Sequence, residues 1–181
     1  HLFEEAEDIE ALAASVSDTD GVVLVPAFSG LLAPYWRPDA RAVLVGMSLH
    51  STKAHVARAT LEAVAFQARE LLDAMQADAG TRLTSLKVDG GMTVNGLLMQ
   101  MQADAIGVPV ERPREIETTA LGAAFAAGLA TGVWRDTDAL RGLNPPAKSF
   151  KPIIDERVRH AKLARWKDAV QRTLGLASHE Y

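Results

Sequence analysis

The 181 residues contain no cysteine, which excludes a disulfide framework, a Cys-ligated zinc and a thiol nucleophile, and fits a reducing compartment. Charge of one sign is also scarce. A net charge of -4 provides no whole-molecule field for nucleic acid or an anionic membrane surface. No apolar run approaches the length of a membrane span. The five histidines show no metal-ligand spacing, and His50 and His55 are not an i, i+4 pair. The acidic opening, Leu2 to Glu10, lacks the basic and apolar regions of a signal peptide, and the chain ends without a peroxisomal tripeptide. His1 stands where a Met would be, so a piece of a longer protein is expected.

What remains is ordinary globular material. The chain is 48% hydrophobic and 23% charged, enough for one domain with a core of its own. Residues 1–21 read as an acidic helical or loop lead-in that ends in the Asp18-Thr19-Asp20-Gly21 turn. Val22–Val25 and Ala42–Met47 are β-branched apolar runs and read as strands, with a Gly-, Pro- and aromatic-rich loop between them. The clearest helix follows. Ser51 or Thr52 can cap it, Ala57, Leu61, Val64, Ala68, Leu71, Met75 and Ala79 form its stripe, and Gly80 stops it.

Leu83–Val88 reads as a strand running into Asp89-Gly90-Gly91, and a second helix puts Val94, Leu97, Leu98, Met101 and Ala105 on one face and stops at Gly107. Val108-Pro109-Val110 reads as a short strand, with the proline placed at an edge or a strand start because it has no donor, and is followed by an Arg112-Pro113-Arg114 turn. Thr118 or Thr119 can cap a small-residue helix that closes at Gly132, residues 136–150 read as a connector, and Leu163, Trp166, Val170 and Leu174 stripe a last helix. Strands alternating with helices predict an α/β fold, a mixed sheet with packed helices. The expected division is a lead-in at 1–21, one domain at 22–174 and a tail at 175–181.

Asp89-Gly90-Gly91 through Asn95 is the best candidate for chemistry. Two glycines at a strand end can take positive φ and leave backbone N–H groups uncovered. A helix starting there favours a phosphate or another electron-rich ligand, and Asn95 can project its amide over the same spot. A plain tight turn fits the same residues. The helix of Gly122, Ala123, Ala124, Ala126, Ala127 and Gly128 either packs closely on a sheet or leaves room for a planar base. Tyr35-Trp36 either lines a pocket or covers the core, and the basic residues of the last helix, Arg157 to Lys167, read as a solvated face. No carboxylate pair is spaced for general-base work.

The residues also carry a resemblance. Pro26-Ala27-Phe28-Ser29-Gly30-Leu31 with Ala33-Pro34-Tyr35-Trp36-Arg37-Pro38-Asp39-Ala40-Arg41 resembles the block that marks glycerol kinases within the FGGY carbohydrate kinase family. Gly46-Met47 through Glu62, Val88-Asp89-Gly90-Gly91 through Asn95, and Glu117 through Ala124 resemble three further family blocks in the same order. The resemblance implies an actin-like, ribonuclease-H-like ATPase domain, the C-terminal part of a two-domain kinase. It implies transfer of the γ-phosphoryl of Mg2+·ATP to glycerol, with Gly91 and Asn95 as ATP/ADP-contacting residues on an Asp89-Gly90 scaffold. It further implies a cytoplasmic homo-oligomer whose glycerol contacts and catalytic Asp lie in the N-terminal domain. No motif of that domain occurs here, nor does the Gly-Thr-rich phosphate hairpin, so the chain alone is expected to be inactive. Leu32 and Ala42 stand where glycine is usual in the family. A non-catalytic actin-like interaction module and another FGGY sugar kinase are the competing readings.

Overall fold

The computed structural model describes residues 8–177, so the lead-in before Asp8 and the tail after Ala177 lie outside the described residues. Its elements are α1 (Asp8–Ala14), β1 (Val23–Val25), β2 (Val43–Val45), α2 (Lys53–Ala79), β3 (Leu86–Lys87), α3 (Gly96–Ile106), β4 (Val110–Pro113), α4 (Thr118–Ala130), β5 (Pro146–Phe150) and α5 (Glu156–Gln171). β1 and β2 pair antiparallel with Leu24 opposite Leu44, closing the long-looped hairpin. A second sheet runs β3-β4-β5, parallel and then antiparallel. The fold is therefore mixed α/β, as the alternation of patterns predicts. Among the described residues no helix is long and apolar enough to cross a membrane.

The long helix α2 is the spine. Thr52 caps it, with the Thr52 N–H donating to His55 Nδ1 at 2.9 Å, and Gly80 ends it in the left-handed region at φ 63°. Its buried residues are mostly alanine, which lets α1 and α3 approach closely. The predicted stripe holds only through the first half, because Leu71 and Met75 are exposed. α3 is buried on more than one face. Met99, Gln102, Ala103 and Ile106 are covered along with Leu98, Met101 and Ala105. Gly107 sits at φ +85°, which favours glycine, and a Cβ there would meet the Arg159 guanidinium at 2.8 Å and displace that flexible group.

Three expectations change. The strand after α3 begins at Val110 and runs through the predicted Arg112-Pro113 turn, and it is central in its sheet, so Pro109 stands at the strand start and not on an edge. Pro109 precedes it and contributes only a carbonyl, to Leu86 N–H at 2.8 Å, while Pro113 sits at a register shift where no donor is needed. The connector contains β5, whose residues are exposed except Phe150, so the sequence had no apolar alternation to show. The basic face of α5 is only partly solvated. Lys162 pairs with Glu62 at 2.6 Å, Arg159 Nε donates to the Asp104 carbonyl at 2.7 Å, and Arg165 donates to the Gly21 carbonyl.

α5 docks through Trp166, which stacks on Phe66 with ring centroids 5.6 Å apart. Beneath that stack lies Glu70, only 6% exposed. Its carboxylate accepts from Trp166 Nε1 at 2.8 Å and from the Tyr35 hydroxyl. Tyr35 thus covers the core, whereas Trp36 beside it is exposed at φ +52°. Replacing Glu70 by Ala strands two donors, each costing about 1–3 kcal/mol. Urea unfolding should show Glu70→Ala destabilised by about 3 kcal/mol, with Glu70→Gln, which keeps one acceptor, losing less than half of that. A Glu70→Ala loss below about 1 kcal/mol would contradict this account of the core.

Burial first, then the hydrogen bond and charge of Glu70, push the Tyr35 phenol well above its ordinary value near 10. The folded state therefore holds that proton more tightly than the unfolded chain does. The stabilisation is complete below about pH 10 and is lost as pH rises beyond it. Stability measured from pH 8 to 11 should fall more steeply for wild type than for Tyr35→Phe, and parallel curves would refute the assignment.

Candidate functional site

The candidate site grows from the end of β3. Val88 N–H donates to the Glu111 carbonyl at 3.1 Å and Gly90 N–H to the Ile116 carbonyl at 2.9 Å, so the chain is fixed up to the bend. Gly90 then sits at φ 86°, ψ 169°, a region essentially restricted to glycine. Gly91 has no such φ, and a Cβ built on it meets nothing within 4 Å. One glycine is required by the backbone. The other is not required by anything in the described chain.

The helix does not begin directly after the bend, as the sequence pattern predicts. A single 3-10 turn, Gly91–Val94, intervenes, and Asn95 caps α3 with its side-chain oxygen accepting from Leu98 N–H at 2.8 Å. Thr93, 3% exposed, braces the turn by donating from both N–H and hydroxyl to the Gly90 carbonyl, at 3.0 and 2.7 Å. Arg112 of β4 reaches across to the Thr93 carbonyl at 2.8 Å. Glu10 of α1 accepts from Leu97 N–H at 2.9 Å. Two amides at the start of α3 are therefore engaged already, and one of them faces a carboxylate. The α3 N-terminus is not the open phosphate cradle that the sequence pattern allows.

Sequence reasoning missed Thr93, Arg112 and Glu10. A buried threonine three residues past a glycine bend carried a faint signal as a turn brace. The two long-range partners carried none, since nothing in the pattern says which helix lies beside which.

Gly91 and Asn95 come together on one wall of a cleft of about 770 Å³. Met92 and Val94, both exposed, supply an apolar rim, and Ile9 and Glu10 of α1 with Leu61 and Val64 of α2 complete the lining. An apolar concavity with few convergent polar groups suits a planar organic ligand. Asp89 accepts from the Thr118 hydroxyl at the start of α4 and so acts as scaffold. The small-residue surface of α4 is not packed on a sheet within the described residues; only Gly128 is buried, against Trp134, which meets Phe125 edge-on at 5.4 Å. Thr118 is the first residue of that helix and Glu117 its cap position, in place of the predicted threonine cap. Among the described residues no group of three or more His, Asp or Glu is placed to hold a metal ion.

Fold and cleft together define an α/β domain whose glycine bend, at the end of a parallel strand, opens onto an apolar cleft. Residues 2–131 match the FGGY family of carbohydrate kinases, C-terminal domain, and the chain belongs to that family. It is 55% identical over 174 residues to glycerol kinase 2 of Streptomyces avermitilis, covering 96% of this chain and 34% of that protein. It is 58% identical over 172 residues to the glycerol kinase of Clavibacter michiganensis, covering 95% and 34%. Its structure resembles that of Plasmodium falciparum glycerol kinase with ADP, at a TM-score of 0.87 and 39% identity over 96% of this chain and 35% of that one. Xylulose kinase from Rhodospirillum rubrum matches at a TM-score of 0.73 and 28% identity, over 93% and 35%. The chain thus spans about a third of the length of the relatives it matches.

The two glycines should separate in experiment. Gly90→Ala forces a Cβ into a mirror-β conformation and should cost about 1–3 kcal/mol in denaturant unfolding. Gly91→Ala should lie within about 0.5 kcal/mol of wild type, because no strain or crowding opposes it. Equal losses would show that Gly91 is structural.

Proposed function

We propose that this chain is the nucleotide-side, C-terminal domain, centred on residues 22–174, of an ATP-dependent glycerol kinase. The observation that carries the reading is Gly91: a glycine with no conformational or packing need of its own, on the wall of an apolar cleft. A nucleotide base and ribose passing close to the backbone would explain the missing side chain. Support for glycerol comes from relatives named glycerol kinase at 53–58% identity, and support for a nucleotide from the ADP named with the Plasmodium enzyme.

In this reading Gly91 and Asn95 hold the adenosine end of ATP or ADP, and Asp89, Gly90 and Thr93 set the bend. The reaction breaks the bond between the γ-phosphorus and its bridging oxygen and joins that phosphorus to a terminal glycerol oxygen. The contribution of this domain is to position the donor, which in phosphoryl transfer is a large part of catalysis. Mg2+ would accompany the ATP, and this reading assigns no residue of the domain to hold it. Glycerol as small-molecule substrate, a cytoplasmic setting and homo-oligomeric assembly belong to the same proposal, by analogy with the family.

The test compares the 181-residue chain with the full-length kinase that carries it. The chain alone should produce no glycerol 3-phosphate from glycerol and ATP, whereas the full-length enzyme should, and should prefer glycerol to xylulose or gluconate. Gly91→Val in the full-length enzyme should raise the KM for ATP on the order of tenfold and leave that for glycerol unchanged. Activity of the chain alone, or a preference for a sugar, would overturn the proposal.

A further inference from the structure

We infer that Arg112 holds the cleft wall in place for the nucleotide without touching it, and that ATP affinity, more than stability, is what its guanidinium maintains. The inference rests on the nucleotide reading of the cleft and adds to it a residue outside the lining. Arg112 belongs to β4, the central strand of its sheet. Its Nη1 donates to the Thr93 carbonyl at 2.8 Å and to the Val94 carbonyl at 3.4 Å. These are the last two carbonyls of the 3-10 turn that begins at Gly91. The turn's own hydrogen bonds end elsewhere, from Thr93 on the Gly90 carbonyl and from Asn95 N–H on the Met92 carbonyl at 3.3 Å. The entry to the turn is thus fixed by the bend itself, and its exit by an arginine from another strand.

Three observations separate this contact from ordinary support of the fold. Arg112 does not line the cleft, whereas Gly91, Met92, Val94 and Asn95, around the two carbonyls it holds, all do. β4 is secured without it, since the strand pairs with β3 on one side and β5 on the other. No carboxylate pairs with it among the described residues, so its contacts are the two carbonyls and the Phe150 ring, whose centroid lies 6.0 Å from the guanidinium carbon. A cation suits the carbonyl end of a helical turn. The contact is half-exposed, so water can replace the guanidinium at either carbonyl and no buried group is stranded when it is lost. What is lost is the single arrangement of the wall. Affinity then falls in proportion to the fraction of molecules whose wall still fits the ligand.

Two substitutions in the full-length kinase test this. Arg112→Met keeps an unbranched stem beside Phe150 and removes every donor, while Arg112→Lys keeps the charge and one compact donor group. Arg112→Met should melt within about 2 °C of wild type. Its KM for ATP should rise about tenfold, with kcat and the KM for glycerol unchanged, and calorimetry should show ADP weakened by the same factor. Arg112→Lys should fall between the two. An unchanged KM for ATP in Arg112→Met overturns the inference. So does a variant that fails to fold, or that melts far below wild type with kcat reduced and the KM for ATP intact, because the contact would then support the fold and not the wall. If the wild-type kinase shows no ATP-dependent turnover, the nucleotide reading itself falls, whereas an unchanged KM in Arg112→Met leaves that reading standing.

Discussion

The domain depends on the carboxylate of Glu70, placed inside the protein on the spine helix. A carboxylate that is 6% exposed needs hydrogen-bond donors in place of water, and it finds two, from Tyr35 and Trp166. Those donors come from the loop after β1 and from α5, so one side chain fastens two distant parts of the sequence to α2. Its neighbour on the helix does the same elsewhere. Arg69 Nη1 donates to the carbonyls of Ala105 and Ile106 at 2.8 and 3.2 Å and satisfies the C-terminal end of α3. Successive residues on a helix point about 100° apart, which is why positions 69 and 70 address different partners. With α3 held at its end by Arg69 and along its length by the alanines of α2, its start is fixed too, and the start is where Asn95 lies.

The bend is fixed independently from the sheet side. β3 and β4 are parallel neighbours, so the chain between them must cross over, and it does so through the glycine bend, the 3-10 turn and α3. Arg112 on β4 then reaches back to the Thr93 carbonyl, tying the far strand to the middle of that crossover. Glu10 adds a tie from α1. The wall formed by Gly91 and Asn95 is therefore set by one strand pair, one helix pair and two charged side chains, and not by the flexibility that two adjacent glycines would otherwise allow.

The parts of this that could be read from sequence were those whose cause is local. Thr52 and Gly80 bound α2, and Gly107 ends α3, because caps act within a few residues. Gly91 and Asn95 could be paired because a bend and the following turn are contiguous. The rest depends on tertiary partners. β5 was invisible because an exposed strand has no buried face, and Pro113 disguised β4 because its position at a register shift exists only once β5 is beside it. The exposed small-residue surface of α4 did not follow the sheet-packing expectation, since small residues record close approach without saying to what. Glu70 carried no local signal that would single it out. Its burial depends on a tryptophan 96 residues away.

The same distinction explains why the site residues are the types they are. Gly90 is glycine because its backbone conformation admits little else. Gly91 shares neither that conformation nor any crowding in the described chain, so the proposed nucleotide reading, and not the fold, is what accounts for its missing side chain. Asn95 poses the same question in another form. The cap on α3 needs only an oxygen, which Asp, Ser or Thr would supply as well. Of the good capping side chains only Asn keeps two N–H donors after its oxygen is engaged, and those donors are what the cap leaves unused. A residue needed solely to start a helix would not have to carry them, which is consistent with the cleft-lining role proposed above for Asn95.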